Sequence, residues 1–164
     1  MRLAVRTGFV AVLLTFCLVA TPGSSWAQTS PVSTISADDL RQWERDLQAD
    51  LTAEKFDTLD EIAGRLRRDK TRLAGGTWQL RVFYAALDVP GKTEQDSAEH
   101  IAHLEHWMAQ RPNSITARVA LAAALVRWAW VGRGHDYADA VTPEGWRLYE
   151  ERMKEAQTIL EGSQ

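Results

Sequence analysis

The chain has 164 residues, 45% of them hydrophobic and 25% charged, which are ordinary values for a globular domain. These values exclude a disordered chain, a collagen-like repeat and a protein with many membrane spans. The formal net charge at pH 7 is −3. No stripe of basic residues accompanies this mild acidity, so nothing in the composition predicts nucleic-acid binding.

The first 27 residues have the pattern of a secretory signal peptide. Arg2 and Arg6 form a basic region, residues 9–20 form a mostly apolar run, and Ser25 and Ala27 place small side chains at positions −3 and −1 of a cleavage site. The apolar run is short for a membrane-spanning helix, which favours cleavage after Ala27 over an uncleaved anchor. We therefore expect an exported protein, periplasmic or extracellular, with no membrane span after cleavage.

Loss of this segment changes the composition. The mature chain would have 137 residues and 17 Lys+Arg against 22 Asp+Glu, a net charge of −5. Cys17, the one cysteine, leaves with the signal peptide. An exported chain without disulfides must be held together by packing alone, and cysteine nucleophiles and thiolate metal ligands are excluded. We expect a flexible polar leader over residues 28–36 and one domain over residues 37–162.

The first half of the domain predicts four helices. Ser36 is a good N-cap for the first, and Asp57 for the second; these two helices are expected to form an antiparallel hairpin. Gly75 and Gly76 interrupt the chain before a third helix, which Thr77 would cap. After a turn at residues 88–92, a fourth helix is predicted from about Thr93 to Gln110. Apolar residues at steps of three and four give each helix one inner face.

The second half predicts a buried helix and a final amphipathic one. Residues 119–131 are apolar except for Arg127, so this helix should be covered on several sides. Ser114 would cap it, and Thr142 with Pro143 marks the start of the sixth helix. The predicted inner stripe of that helix is Trp146, Tyr149, Met153, Ala156 and Leu160. Without strand-length alternation, we expect an all-α fold of about six helices in three antiparallel hairpins, a tetratricopeptide-like stack.

Two features resemble known helical repeats. Trp43 and Trp78 are 35 residues apart, close to the tetratricopeptide period of about 34 residues. Several tracts are together similar to an uncharacterised bacterial family, a domain of unknown function with tetratricopeptide-like hairpins: Phe56–Asp60, Trp78–Leu80, Arg111–Ser114, Tyr137–Asp139 and Thr142–Trp146. The resemblance covers most of residues 40–160. It implies a helical-repeat fold and no particular activity.

Three histidines at a spacing of three, His100, His103 and His106, suggest a zinc or copper site. Successive residues of an α-helix are rotated by about 100°, so the three imidazoles fan out from the edge of the apolar face into solvent. Charge pairing on a hydrated surface, with Asp96 and Glu99 one turn earlier, is favoured over a metal site. His100 and His103 are kept as weak metal candidates.

The loop from Gly132 to Asp139 places His135, Tyr137 and Asp139 close together in the sequence. A structural role, in which Tyr137 and Asp139 fix the loop by hydrogen bonds, is favoured over binding or acid–base chemistry. Arg127 needs a partner in its apolar helix. We expect a carboxylate of residues 136–144, preferably Asp139, with an anion-binding site as the alternative.

The mature chain would keep six of the seven tryptophans. Five of them fit apolar stripes and are expected in the core. Trp128 and Trp130 point about 200° apart on one helix, so they cannot serve one surface, and one tryptophan could line a groove.

The signatures of common hydrolases, zinc proteases and phosphate-binding loops do not occur in the sequence. We expect an exported, non-catalytic helical binding or scaffolding module, without a cofactor, that interacts with an envelope protein or peptide. The candidate binding residues are Arg127, Trp130, His135, Tyr137, Asp139 and Trp146. One alternative is a metal- or small-ligand-binding protein that uses His100 and His103 or the 132–139 loop. The other is an enzyme with an acid–base site at His135, Asp136 and Asp139. The sequence leaves the oligomeric state open.

Overall fold

A computed structural model of the chain describes residues 32–88, 93–134 and 137–162. The predicted signal peptide and the first part of the predicted leader lie outside the described residues. Six helices confirm the all-α class: α1 (Ala37–Thr52), α2 (Phe56–Asp69), α3 (Gln79–Leu87), α4 (Glu94–Gln110), α5 (Ile115–Arg133) and α6 (Pro143–Glu161).

Two very short strands accompany the helices. β1 (Val32–Ser33) pairs in parallel with β2 (Arg72–Leu73), which lies between α2 and α3. The sequence analysis predicts no strand, because a two-residue strand is too short to show the alternation that identifies one. The pairing places the described part of the predicted leader beside the α2–α3 connection.

Three helices begin at the predicted capping residues, and α4 begins at Thr93, close to its predicted start. The Ser36 and Ser114 hydroxyls accept from the backbone N–H groups of Asp39 and Ala117 at 3.1 and 3.0 Å. Thr142 caps α6 with Pro143 in the first turn. Thr93 caps α4 and forms a reciprocal capping box with Asp96. These side chains satisfy N–H groups that have no partner inside the helix.

The predicted caps of α2 and α3 are wrong. Lys55 and Trp78 occupy the N-cap positions, and neither makes a side-chain cap hydrogen bond. α2 begins two residues early because Glu54, at φ 55°, turns the backbone directly into the helix. Asp57 therefore lies in the first turn, where the helix dipole still favours a carboxylate. The Thr77 carbonyl is engaged in a tight turn, where it accepts from Leu73 N at 2.8 Å.

α5 is the central helix, as predicted. Eight of its residues are buried, and it packs against α2, α4 and most extensively α6. α5 is also the one described helix long and apolar enough to cross a membrane. A buried core helix meets the same criteria, and the packing of α5 against three other helices accounts for its apolar composition.

The helix contacts are consistent with two of the predicted pairs. α1 contacts α2, and α5 contacts α6, whereas α3 packs against α1 and α2, and α4 packs against α5. α5 and α6 run antiparallel, since the Trp130 ring contacts Tyr149 near one end and Arg118 donates to the Gly162 carbonyl at 3.0 Å near the other. The complete three-hairpin, tetratricopeptide-like stack stays a prediction.

The inner face predicted for α6 is wrong, because the helix is rotated about its axis and turns a different set of residues towards the core. The buried residues of α6 are Gly145, Arg152 and Ala156. Of the predicted stripe, only Ala156 is buried, and Leu160 is 46% exposed. A hydrophobic pattern treats arginine as an outer residue, so it cannot place Arg152 at the centre of the interface.

The tryptophans are less buried than the pattern predicts. Trp107 is fully buried and stacks on Phe56 with ring centroids 5.5 Å apart. Trp78 and Trp130 are 47% and 49% exposed, and the other three described tryptophans are half-buried. Helical spacing identifies a face, but it does not show whether another element covers that face.

Candidate functional site

Four side chains meet where the C-terminal end of α5 lies beside the N-terminal end of α6. We call Trp130, Arg133, Trp146 and Tyr149 the aromatic–arginine cluster. The Tyr149 ring is perpendicular to Trp146 at 5.9 Å and edge-on to Trp130 at 5.1 Å. The Arg133 guanidinium lies 5.4 Å from the Trp130 ring centroid and 5.0 Å from the Trp146 centroid. Arg133 therefore bridges the two indoles by cation–π contacts.

The cluster is open to solvent on one side. Trp130 is 49% exposed, and its three companions are half-buried. Trp, Tyr and Arg are the residue types that contribute most to binding energy at protein interfaces. Because the rings and the guanidinium hold one another in place, a partner would meet side chains that have little conformational freedom left to lose.

A buried arginine holds the helices beneath the cluster. The Arg152 side chain is 7% exposed, and its guanidinium lies 3.6 Å from the Trp128 ring centroid. It donates to the Trp128 carbonyl at 2.9 Å and to Glu94. The Trp128 indole N–H also donates to Glu94, at 3.0 Å. This group of three side chains, the Arg152 anchor, connects α4, α5 and α6.

Two glycines set the close approach of α5 and α6 at this point. A Cβ on Gly132 would lie 2.7 Å from Arg152 Nη1 and 3.2 Å from Leu148 Cβ. A Cβ on Gly145 would lie 3.1 Å from the Gly132 carbonyl oxygen. The small residues and the buried guanidinium together fix the spacing that brings Trp130 within ring contact of Tyr149.

An apolar groove continues from the cluster along α5 and α6. It has a volume of about 610 Å³. Its floor includes Val126 from α5 and Tyr149, Met153 and Leu160 from α6, and its outer rim on α6 carries Glu150, Lys154, Gln157 and Glu161. Concave apolar surface with a polar rim is typical of binding sites.

The structure brings two of the predicted binding residues together, Trp130 and Trp146. Tyr137 and Asp139 lie in the segment that leads into α6, and both are exposed, Tyr137 to 88%. The backbone forms a turn there, in which Ala140 N donates to the Tyr137 carbonyl at 2.9 Å. His135, and Asp136 of the enzyme alternative, lie outside the described residues.

The predicted partner of Arg127 is wrong. Arg127 Nε donates to Asp88 Oδ2 at 2.5 Å, and the arginine side chain is 47% exposed. Asp88 is the C-cap of α3, distant in sequence, so local proximity to Asp139 was a poor guide. The position on α5 is apolar on both sides in the sequence, yet it lies at the surface of the domain.

The histidines of α4 separate as the helical rotation predicts. His100 is half-buried, whereas His103 and His106 are exposed. Burial lowers the pKa of His100, and the nearby Asp88 carboxylate opposes this shift in part. The His100 Nε2 is buried and has no hydrogen-bond partner within the described part of the chain. Across the described residues, no group of three His, Cys, Asp or Glu side chains is placed to hold a metal ion.

The burial of His100 predicts an acid-sensitive stability. Its folded-state pKa lies below the ordinary value of 6.5, so protons bind preferentially to the unfolded chain below that pH. The resulting loss of stability should grow as the pH falls from 6.5 towards the folded-state pKa, and then level off. We expect His100→Gln to flatten this part of a melting-temperature profile measured against pH. His103→Gln, at an exposed position one turn later, is the matched control and should leave the slope unchanged.

A second polar group lies beside the turn between α4 and α5. This group lines a pocket of about 540 Å³ that includes Asp60, Arg67, Arg111, Ser114 and Thr116. Arg67 donates to Thr116, Ser114 donates to Asp60, and Arg111 Nε lies 3.6 Å from Asp60 Oδ2. These contacts tie α2 to the start of α5. Arg67 donates to a neutral hydroxyl, and its buried Nε has no hydrogen-bond partner within the described part of the chain.

Sequence reasoning missed Arg133, Tyr149 and Arg152 as members of a site. The hydrophobic pattern assigns Tyr149 to an inner stripe of α6, and it gives no signal for the two arginines. One signal was present, since Gly132 and Gly145 mark points where two backbones can approach closely. That signal becomes specific only when α5 and α6 are known to face each other at these positions.

Comparisons of the chain with models of protein families, with characterised proteins and with solved structures find no match. The resemblance to a helical-repeat family therefore stays an expectation, and the function has to be argued from the aromatic–arginine cluster and its surroundings.

Proposed function

We propose that this protein is an exported, non-catalytic helical module that binds a protein or peptide of its own compartment at the aromatic–arginine cluster. The observation that carries the proposal is the convergence of Trp130, Arg133, Trp146 and Tyr149 at one partly exposed point of contact between α5 and α6. These residue types dominate the energetics of protein interfaces.

The chemistry of the cluster favours binding over catalysis. Indole and guanidinium groups do not exchange protons near neutral pH, and neither is a nucleophile in ordinary enzymes. They supply apolar area, hydrogen-bond donors and a positive charge. Those are the properties of an anchoring site for a segment that presents apolar and aromatic side chains.

Export supports the same assignment. The basic, apolar and small-residue regions of the first 27 residues match a signal peptide, and the remaining chain contains no cysteine that would need a controlled redox state. A partner in the periplasm or outside the cell follows from that location.

Trp130→Ala tests the proposal because the residue is exposed and contributes to the surface more than to the core. The partner would first be recovered from the native envelope by pull-down with the wild-type protein, then purified and titrated. We expect the variant to bind this partner about 30-fold more weakly, the effect of losing about 2 kcal/mol at a binding hot spot.

Trp78→Ala is the matched control. Trp78 is equally exposed, at 47%, and also contacts an arginine, with the Arg72 guanidinium 5.1 Å from its ring centroid. It precedes α3, away from the cluster. Equal weakening by both variants, or by neither, would contradict the assignment of binding to the cluster.

A further inference from the structure

An arginine in the pocket beside the α4–α5 turn has no acidic partner among the residues that the structure describes. Arg67 lies in the last turn of α2, and its half-buried side chain donates to the neutral hydroxyl of Thr116. Its Nε is buried and makes no hydrogen bond in the described ranges. Buried charges in proteins are ordinarily paired and hydrogen-bonded, so the Arg67 guanidinium has binding capacity that the fold does not use.

The acidic residues beside this pocket pair with a different arginine. Asp60 accepts from the Ser114 hydroxyl and lies 3.6 Å from Arg111 Nε. Asp57 also contacts Arg111, but its side chain is 80% exposed, so water and salt screen its charge. Asp60 and Arg67 are two turns apart on α2, about 10 Å along the helix axis, which is too far for an ion pair. The positive charge of Arg67 is therefore uncompensated within the pocket.

The charge of Arg67 also acts on a tyrosine of α3. Burial raises the pKa of the Tyr84 hydroxyl, and the positive charge of Arg67 opposes that rise. The half-buried Tyr84 side chain hydrogen-bonds to Thr116, which is only 2% exposed. The Thr116 hydroxyl is thus fixed between Arg67 and Tyr84, and it holds the guanidinium in place at the wall of the pocket.

The start of α5 adds backbone donors to the same pocket. The Ser114 hydroxyl accepts from Ala117 N at 3.0 Å, but the N–H groups of Ile115 and Thr116 have no acceptor within the part of the chain that the structure describes. Both residues line the pocket, and Ile115 is 61% exposed. Unpaired N–H groups at the start of a helix favour an anion, and here they lie in one pocket with a guanidinium that supplies a full positive charge.

We propose that this pocket binds a carboxylate, the group shared by small organic acids and the C-terminus of a peptide. The planar guanidinium of Arg67 matches a carboxylate in charge and donor geometry, and the Ile115 and Thr116 N–H groups donate to its oxygens. A monoanion balances the one uncompensated charge, whereas a phosphate dianion would leave excess negative charge in a pocket that already contains Asp60. The volume of about 540 Å³ is that of a small-molecule site, so it also holds the group that carries the carboxylate.

The carboxylate pocket is separate from the aromatic–arginine cluster. The pocket lies at the N-terminal end of α5 and the cluster at its C-terminal end. Thr116 and Trp130 are about 20 Å apart along the helix axis. Carboxylate binding at this pocket therefore goes beyond the proposed function and does not depend on it.

A two-dimensional NMR titration of the purified protein tests the site, with the amide signals of Ile115 and Thr116 as reporters. Acetate, N-acetylalanine and the neutral amide of N-acetylalanine are added at constant ionic strength. We expect both acids to shift these signals saturably and the neutral amide to bind at least about tenfold more weakly, because it lacks the charge. Tighter binding of N-acetylalanine than of acetate would identify a peptide C-terminus as the source of the carboxylate, and equal binding a small acid. No saturable shift with either acid, or tighter binding of inorganic phosphate, would overturn the proposal.

Arg67→Gln should weaken the binding of N-acetylalanine at least about tenfold, since it removes the charge but keeps a side chain that can donate to Thr116. Arg68→Gln is the matched control, because Arg68 also lies in the last turn of α2 but is exposed and does not line the pocket. It should leave the affinity unchanged. Equal weakening by both variants would indicate general attraction to a positive surface and would overturn the site.

Ile115→Pro removes one proposed donor without disturbing the helix. Position 115 is the first residue of α5, where proline is favoured and the N–H has no partner inside the helix. Ser114 is already extended, at φ −74° and ψ 111°, which suits a residue before proline. We expect Ile115→Pro to bind N-acetylalanine about threefold more weakly, and Ile115→Ala, which keeps the N–H, to bind it like the wild type.

Equal affinities of the two position-115 variants would overturn the assignment of the backbone donors. Circular dichroism melts would verify that each variant is folded. If Arg67→Gln does not fold, the comparison of Ile115→Pro with Ile115→Ala still decides the proposal. None of these measurements involves Trp130, so failure of the carboxylate site and failure of the proposed function can be told apart.

Discussion

Arg152→Ala is expected to lower the free energy of unfolding by about 3 kcal/mol, the combined effect of losing charge-assisted hydrogen bonds and a desolvated cation–π contact. The Trp128 carbonyl would lose the Arg152 side-chain donor, and the Trp128 ring would lose the guanidinium 3.6 Å from its centroid. Because these contacts join three helices, the melting temperature should fall by about 10 °C in a domain of this size. Thermal and urea unfolding would measure the change.

Two variants make the Arg152 result specific. Arg152→Lys keeps the charge but loses the planar guanidinium, so it should recover only a small part of the loss. Arg147→Ala removes an exposed arginine of the same helix, which pairs with Glu144 and Glu151. It should have little effect, because exposed ion pairs contribute little to stability. A loss from Arg147→Ala as large as that from Arg152→Ala would contradict the role assigned to the Arg152 anchor.

Gly132→Val should destabilise the fold by about 2 kcal/mol or more, since overpacking a close helix contact forces the backbones apart. The first atom added would already lie 2.7 Å from Arg152 Nη1 and 3.2 Å from Leu148 Cβ. We also expect the Trp130–Tyr149 contact to open, which near-ultraviolet circular dichroism of the aromatic residues would detect.

A double-mutant cycle separates this steric effect from helix propensity. In the Arg152→Ala background the nearest obstructing side chain is gone, so Gly132→Val should cost clearly less than in wild type, a coupling expected of residues in contact. Gly64→Val in α2 is the comparison variant, because a Cβ there meets only the end of the Arg68 side chain, at 3.4 Å. Additive effects of Gly132→Val and Arg152→Ala would show that the two sites do not share the α5–α6 contact.

The sequence predicted the helices of this protein well where the signal was local. Ser36, Ser114 and Thr142 cap the helices they were expected to cap, because an N-cap needs only a side-chain oxygen and the next three residues. The central position of α5 was also predicted correctly, since a run of apolar residues around a helix requires cover on several sides.

The prediction failed where a residue's role depends on a distant element. Arg127 pairs with Asp88 and not with Asp139, and Arg152 is buried because Trp128 and Glu94 lie within reach of its guanidinium. Periodicity assigns arginine to the outer face of a helix, so the α6 interface was predicted with the wrong rotation.

The candidate site was half predicted. The sequence analysis includes Trp130 and Trp146 among its candidate binding residues, since aromatic residues are enriched at protein interfaces. The sequence analysis does not identify Arg133 and Tyr149, because these side chains come together only where α5 and α6 lie close to each other. Gly132 and Gly145 set that spacing, since they let the two backbones approach.

By itself the sequence determined the helical class and most helix starts, and it predicted export, because those properties depend on neighbours within a few residues. The tertiary structure decided which faces remain open, which arginine is buried and which aromatic residues meet. Those properties depend on the distance and rotation between helices, and they are set by contacts between residues far apart in the chain.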